Sequence, residues 1–98
     1  VAVIGCGGVG LSAINGAAIA GAARIIAVDM VPSKLELARK FGATDVVNAK
    51  EVDPIGTVVE MTQGGVHYSF EAIGLKVTAE QSFKMLRRGG TATIIGMI

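Results

Sequence analysis

This sequence has no tryptophan, two prolines and one cysteine, and its only aromatic residues are Phe41, Tyr68, Phe70 and Phe83. A lone thiol, Cys6, cannot close an internal disulfide, and no C-x-x-C or H-E-x-x-H string is present to hold a metal ion. The G-x-S-x-G string of serine hydrolases is missing as well. Nor is there an excess of charge. Nine Lys and Arg stand against eight Asp and Glu for a formal net charge of +1, so no basic field for nucleic acid exists. At 51% hydrophobic and 17% charged, the chain is too apolar for a disordered tail. Its 98 residues allow one domain, with a core built from Val, Ile, Leu and Ala.

Val1 to Ala23 carries no charge, a span long enough to cross a bilayer. Against that reading, Gly5, Gly7, Gly8 and Gly10 would break a helix, and Ser12 and Asn15 add polarity. With no positively charged segment ahead of the apolar stretch, a signal peptide is not the expected reading. No membrane association is expected. Both ends fall inside apolar runs, as expected of a piece from a longer protein.

What the chain does have is glycine, 14 residues, or about twice the usual share. Strand-like and helix-like segments alternate between the glycine clusters. Val1 to Gly5, Arg24 to Asp29, Asp45 to Asn48, Val66 to Ile73 and Thr91 to Met97 are predicted strands. The intervening helices are predicted from Leu11 to Ala20, from a Ser33–Glu36 capping box to Gly42, from Asp53-Pro54 to Gly64, and from a Thr78–Gln81 capping box through Arg87 and Arg88. Strands apolar on both faces alternating with helices mean an α/β fold with a doubly wound parallel sheet.

The chemistry concentrates in Gly5-Cys6-Gly7-Gly8-Val9-Gly10, a G-x-G-x-x-G that follows a predicted strand and opens a predicted helix. Gly5 allows the tight turn, Gly7 admits a pyrophosphate close to the backbone, and Gly10 lets helix and strand pack closely. The helix N-terminus then receives the phosphate charge. Asp29 stands 19 residues after Gly10 (29 − 10) at the end of the second strand. A carboxylate there accepts hydrogen bonds from the adenosine ribose hydroxyls and repels a 2′-phosphate, which selects NAD over NADP. Lys34 is either a second donor to that ribose or simply a surface lysine. Cys6 is expected to pack as a small side chain and His67 to sit partly exposed at a strand start, while Glu71 is either paired inside the protein or faces a domain absent from this chain.

The segments GCGGVGLSAI, AGAARIIAVD, FGATDVVN, GGVHYSFEAIG and LRRGGTATIIGM together resemble the zinc-containing alcohol dehydrogenases of the medium-chain dehydrogenase/reductase superfamily, over the whole chain but in their coenzyme domain alone. The resemblance implies a Rossmann sheet ordered 3-2-1-4-5, with a sixth strand beyond Ile98. It implies that residues 1–98 form the NAD-binding domain, that Gly5, Cys6, Gly7, Gly8, Val9 and Gly10 form the phosphate loop, and that Val9 lies near the nicotinamide. Asp29 and Lys34 would hold the ribose, Met30 and Ile73 the adenine, and the backbone of Ile95, Gly96 and Met97 the carboxamide end. Two departures are His67, where the family usually has Asp, and Leu75, where relatives often have Arg. Zinc and its ligands would belong to a separate catalytic domain, so no catalytic or metal residue is expected in this chain. The implied whole is a cytoplasmic homo-oligomer acting on a small alcohol or aldehyde. A zinc-free quinone or enoyl reductase of the same superfamily, or a non-catalytic dinucleotide sensor, are the alternatives.

Overall fold

A computed structural model describes residues 1–96. Met97, expected at the nicotinamide end, lies outside the described residues. Nine elements follow one another: β1 Ala2–Ile4, α1 Gly8–Ile19, β2 Ile26–Asp29, α2 Pro32–Phe41, β3 Asp45–Asn48, α3 Pro54–Met61, β4 Val66–Glu71, α4 Lys76–Lys84 and β5 Leu86–Ile94. The strands form one parallel sheet in the order β3-β2-β1-β4-β5, the expected doubly wound arrangement.

Successive strand residues point to opposite faces, and here both faces are apolar. Val3 and Ala27 join Leu11 and Ile14 of α1 and Leu35 and Ala38 of α2 in one core. Ala2, Ile4, Ile26 and Val28 join Val58 of α3 and Met85 in the other. Each buried branched side chain contributes about 1.5–3 kcal/mol relative to exposure, which makes the central strands the anchor of the fold. No helix among the described residues is long and apolar enough to cross a membrane.

Three local expectations are corrected. The Ser33–Glu36 capping box does not form, because Val31 is the N-cap of α2 and Pro32 takes the first helical position. A residue before proline is held extended, as Val31 is at φ −106° and ψ 114°, so the helix starts ahead of Ser33. Thr78 likewise sits inside α4, which begins at Lys76, and its hydroxyl donates back to the Leu75 carbonyl at 2.9 Å. Third, Arg87 and Arg88 do not end a helix but lie within β5. Leu86 pairs with Val66 and Thr91 with Tyr68, so residues 87–90 bulge opposite His67. Arg87 donates from Nε to the Gly65 carbonyl at 3.1 Å, a carbonyl brought near only by tertiary packing. Asp53 does cap α3 as expected, accepting from the N–H groups of Ile55 and Gly56 at 3.2 Å.

Candidate functional site: a dinucleotide cleft at the carboxyl ends of the strands

All strands run the same way, so their carboxyl ends share one edge, and the order reverses between β1 and β4. A crevice at that switch point is where open parallel sheets bind ligands. The glycine loop enters it directly. Gly5 donates to the Val28 carbonyl at 2.8 Å and takes φ +97°, a left-handed conformation that side chains strain to adopt. The helix begins at once, with Gly7 as N-cap and Gly8 as its first residue, rather than at Leu11 as the apolar pattern suggests. No side chain caps α1, and its first internal bond runs from the Leu11 N–H to the Gly7 carbonyl at 2.8 Å. The N–H groups of the first turn are therefore free for an anion.

The glycines divide by what surrounds them. A Cβ on Gly10 would overlap the Gly5 carbonyl oxygen and lie 2.7 Å from its carbon, so the helix–strand packing itself demands glycine there. A Cβ on Gly7 or Gly8 would meet no protein atom within 4 Å, and packing within the chain does not account for those two. Open space beside unpaired donors fits a phosphate group that needs the backbone bare.

Asp29 does more than the spacing predicts. Its Oδ2 accepts from the Cys6 N–H at 2.8 Å, and its Oδ1 accepts from the N–H groups of Met30 at 2.7 Å and Val31 at 3.0 Å. The carboxylate thus ties the glycine loop to the end of β2 and to the backbone of Met30 and Val31 just ahead of α2, whose own N-terminus has no side-chain cap. With about four acceptor positions on a carboxylate, roughly one remains for a ribose hydroxyl, and Asp29 is half-buried beside solvent. Nothing in the linear sequence pairs Cys6 with Asp29; the β1–β2 register, Ile4 against Val28, does so.

Met30 and Ile73 follow β2 and β4, the two neighbours of β1, and both are exposed. Strands two apart are separated by about 9.5 Å, so the two residues stand on either side of the end of β1. Lys34 is exposed in the first turn of α2. Val9 and Ile95, expected at the nicotinamide end, are brought together as walls of one apolar groove of about 760 Å³ that also takes in Ala13, Tyr68 and Phe70. The Ile95 and Gly96 N–H groups donate to the Glu71 carbonyl at 2.8 and 3.0 Å, which fixes the chain at that end of the cleft.

Cys6 is buried, with its sulfur 3.9 Å from the Val28 carbonyl oxygen. Burial, and next the nearby Asp29 charge, push its thiol up to about 12 from an ordinary 9.0. The helix N-terminus therefore does not make it a nucleophile. We expect a thiol reagent at pH 8 to modify Cys6 no faster than the protein unfolds; rapid modification of the native protein would contradict this burial. A value raised on folding adds stability that is complete below the unfolded value near 9.0 and is lost as pH climbs toward 12. His67 is exposed, at the opposite end of the sheet from Cys6. Among the described residues no three His, Cys, Asp or Glu side chains cluster to hold a metal ion.

The profile of the family described as zinc-binding dehydrogenase matches residues 8–98. The chain belongs to that family. Among curated relatives of this zinc-binding dehydrogenase chain, S-(hydroxymethyl)glutathione dehydrogenase of Synechocystis is 49% identical over 100 residues, covering 99% of the chain and 27% of that protein. The crystal structure of benzyl alcohol dehydrogenase from Acinetobacter calcoaceticus superposes with a TM-score of 0.96 at 41% identity, over 99% of this chain and 27% of that one. A zinc-binding dehydrogenase of Sinorhizobium meliloti, solved bound to NADP, follows at TM-score 0.91 and 31% identity, over 99% and 29% of the two chains. The zinc-binding dehydrogenase chain described here therefore spans about a quarter of the length of the curated relatives it matches.

Proposed function

We propose that residues 1–98 form the NAD-binding domain of a zinc-dependent alcohol dehydrogenase, a cytoplasmic homo-oligomer that oxidises a small alcohol or reduces the matching aldehyde. The observation that carries this reading is the bare first turn of α1, tied to Asp29 through the 2.8 Å bond from the Cys6 N–H. The bond joins the unpaired donors of α1 to a carboxylate at the end of β2, which supports a reading in which the first hold phosphate and the second a ribose.

In this reading the free N–H groups at the start of α1 hold the pyrophosphate. Asp29, with Lys34 beside it, holds the adenosine ribose, while Met30 and Ile73 flank the adenine. Val9 and Ile95 form the apolar wall at the nicotinamide end, with the backbone of Gly96 alongside. Bound NAD supplies the hydride acceptor, and this chain contributes binding, orientation and exclusion of water. The zinc ligands belong to the remainder of the protein, since catalytic zinc takes about three protein ligands. The Sinorhizobium meliloti relative, solved with NADP, shows that the phosphorylated coenzyme binds to a chain of this family. Asp29 is the residue that would decide between NAD and NADP here. The alcohol-dehydrogenase names of the relatives favour this reading over the zinc-free reductase and the non-catalytic sensor.

The test is NADH formation by the full-length protein over a panel of primary and secondary alcohols, before and after zinc removal by a chelator. Alcohol-dependent reduction of NAD that is lost with the metal is expected. Tight NAD binding without turnover would point to a sensor, and chelator-insensitive reduction of quinones or enones to the zinc-free class.

A further inference from the structure

Glu71 is fully buried at the end of β4, in register with Ile4 of β1 and Ile94 of β5. Its Oε1 accepts two backbone N–H groups, from Ile73 and, at 2.7 Å, from Gly74. Its Oε2 is buried with no hydrogen-bond partner among the described residues. A half-satisfied buried carboxylate is a poor source of stability, because an apolar side chain of similar size would avoid the desolvation cost. A reason for the acid must lie in what Oε1 holds.

What it holds is the turn at residues 72–74, which is wedged between two parts of the cleft. On one side a Cβ at Gly5 would come within 2.6 Å of the Ile73 side chain and 3.3 Å of the Ala72 backbone. On the other, a Cβ at Gly96 would come within 2.7 Å of Gly74 Cα and 2.8 Å of the Ile73 carbonyl carbon. The Glu71 carbonyl itself receives the Ile95 and Gly96 N–H groups. The glycine loop, the adenine wall and the nicotinamide-end segment thus converge on this one residue.

We propose that Glu71 is a positioning residue for the dinucleotide. By clamping the Ile73 and Gly74 N–H groups, it keeps Ile73 pressed against Gly5 and Gly74 against Gly96, which sets the width of the cleft. The inference rests on the NAD-binding reading above.

The experiment compares wild type, Glu71→Gln and Glu71→Leu in the full-length protein, by calorimetric titration with NAD, amide hydrogen exchange and steady-state kinetics. Glutamine keeps an acceptor oxygen, whereas leucine fills the space with none. The expected order of NAD dissociation constants is wild type, Gln, Leu, with Leu weaker by about tenfold, the effect of losing charge-assisted hydrogen bonds. At saturating NAD, kcat for the Leu variant should stay within about twofold, since a lost binding interaction acts through KM. Exchange at the Ile73 and Gly74 amides should quicken in the same order while exchange at Ile4 and Val28 is unchanged. Wild-type affinity in a folded Leu variant would overturn the proposal. Should the Leu variant fail to fold, the Gln variant decides: unchanged exchange at Ile73 and Gly74 would overturn it. Failure of the wild type to bind NAD would instead refute the coenzyme reading beneath it.

Discussion

Replacing Asp29 with glycine in the full-length protein is expected to lower the kcat/KM preference for NAD over NADP by tenfold or more. Two effects act in the same direction. The ribose hydroxyls lose a charged acceptor, an interaction of about 1.5–3 kcal/mol, which corresponds to roughly tenfold or more in affinity. The N–H groups of Cys6, Met30 and Val31, all now bound to the carboxylate, are also released toward the site of a 2′-phosphate. Donors freed at that position attract the added charge that the carboxylate repels. Asp29→Asn separates the contributions. It keeps an acceptor oxygen for part of the backbone network but removes the negative charge, so NADP should gain while NAD loses less than in the glycine variant. An unchanged coenzyme ratio in both variants would show that selection is made elsewhere.

Gly10→Ala is expected to damage both stability and coenzyme binding, although it adds a single methyl group. The new Cβ would overlap the Gly5 carbonyl oxygen, a backbone atom held by the Gly5 bond to Val28 and unable to rotate away. Relief requires α1 to back away from β1, which opens the core around Val3, Leu11 and Ile14. Overpacking of this kind costs about 1–3 kcal/mol, a sizeable fraction of the roughly 5–15 kcal/mol that holds a domain folded. Moving the helix also shifts its first-turn N–H groups relative to the pyrophosphate. NAD affinity should therefore fall together with stability, whereas a Cβ on Gly7 would meet no protein atom within 4 Å and leave the packing of the chain as it is. Thermal unfolding and NAD titration of the two variants check this. Gly7→Ala should retain the wild-type melting temperature but weaken NAD binding, whereas Gly10→Ala should lower both. A Gly10→Ala protein with wild-type Tm would mean that α1 tolerates a looser seat than the backbone contact implies.

The sequence by itself determined the alternation of elements, because buried parallel strands are apolar on both faces and glycine, proline and capping acids punctuate the helices. Asp45–Asn48 and the Asp53-Pro54 helix start are read correctly because their signals are local, a four-residue strand and a cap whose donors lie two and three residues away. The glycine loop and Asp29 stand where the linear pattern puts them for a related reason, since each follows from the end of a predicted strand, at β1 and β2. Where a signal competed with a distant partner, tertiary structure decided. Arg87 resembles a helix-ending cation until the Gly65 carbonyl, just ahead of β4, accepts its Nε–H beside the bulge in β5. Ser33, by contrast, has the spacing of a cap, yet Pro32 opens the helix ahead of it and leaves Val31 as the N-cap, a competition between neighbouring residues. Glu71 reads as an unexplained acid in an apolar strand until the turn it clamps is seen between Gly5 and Gly96. Periodicity records which side of an element is buried. Which carbonyl, carboxylate or glycine waits on that side depends on strand order and register, and those exist only once the sheet has closed around β1.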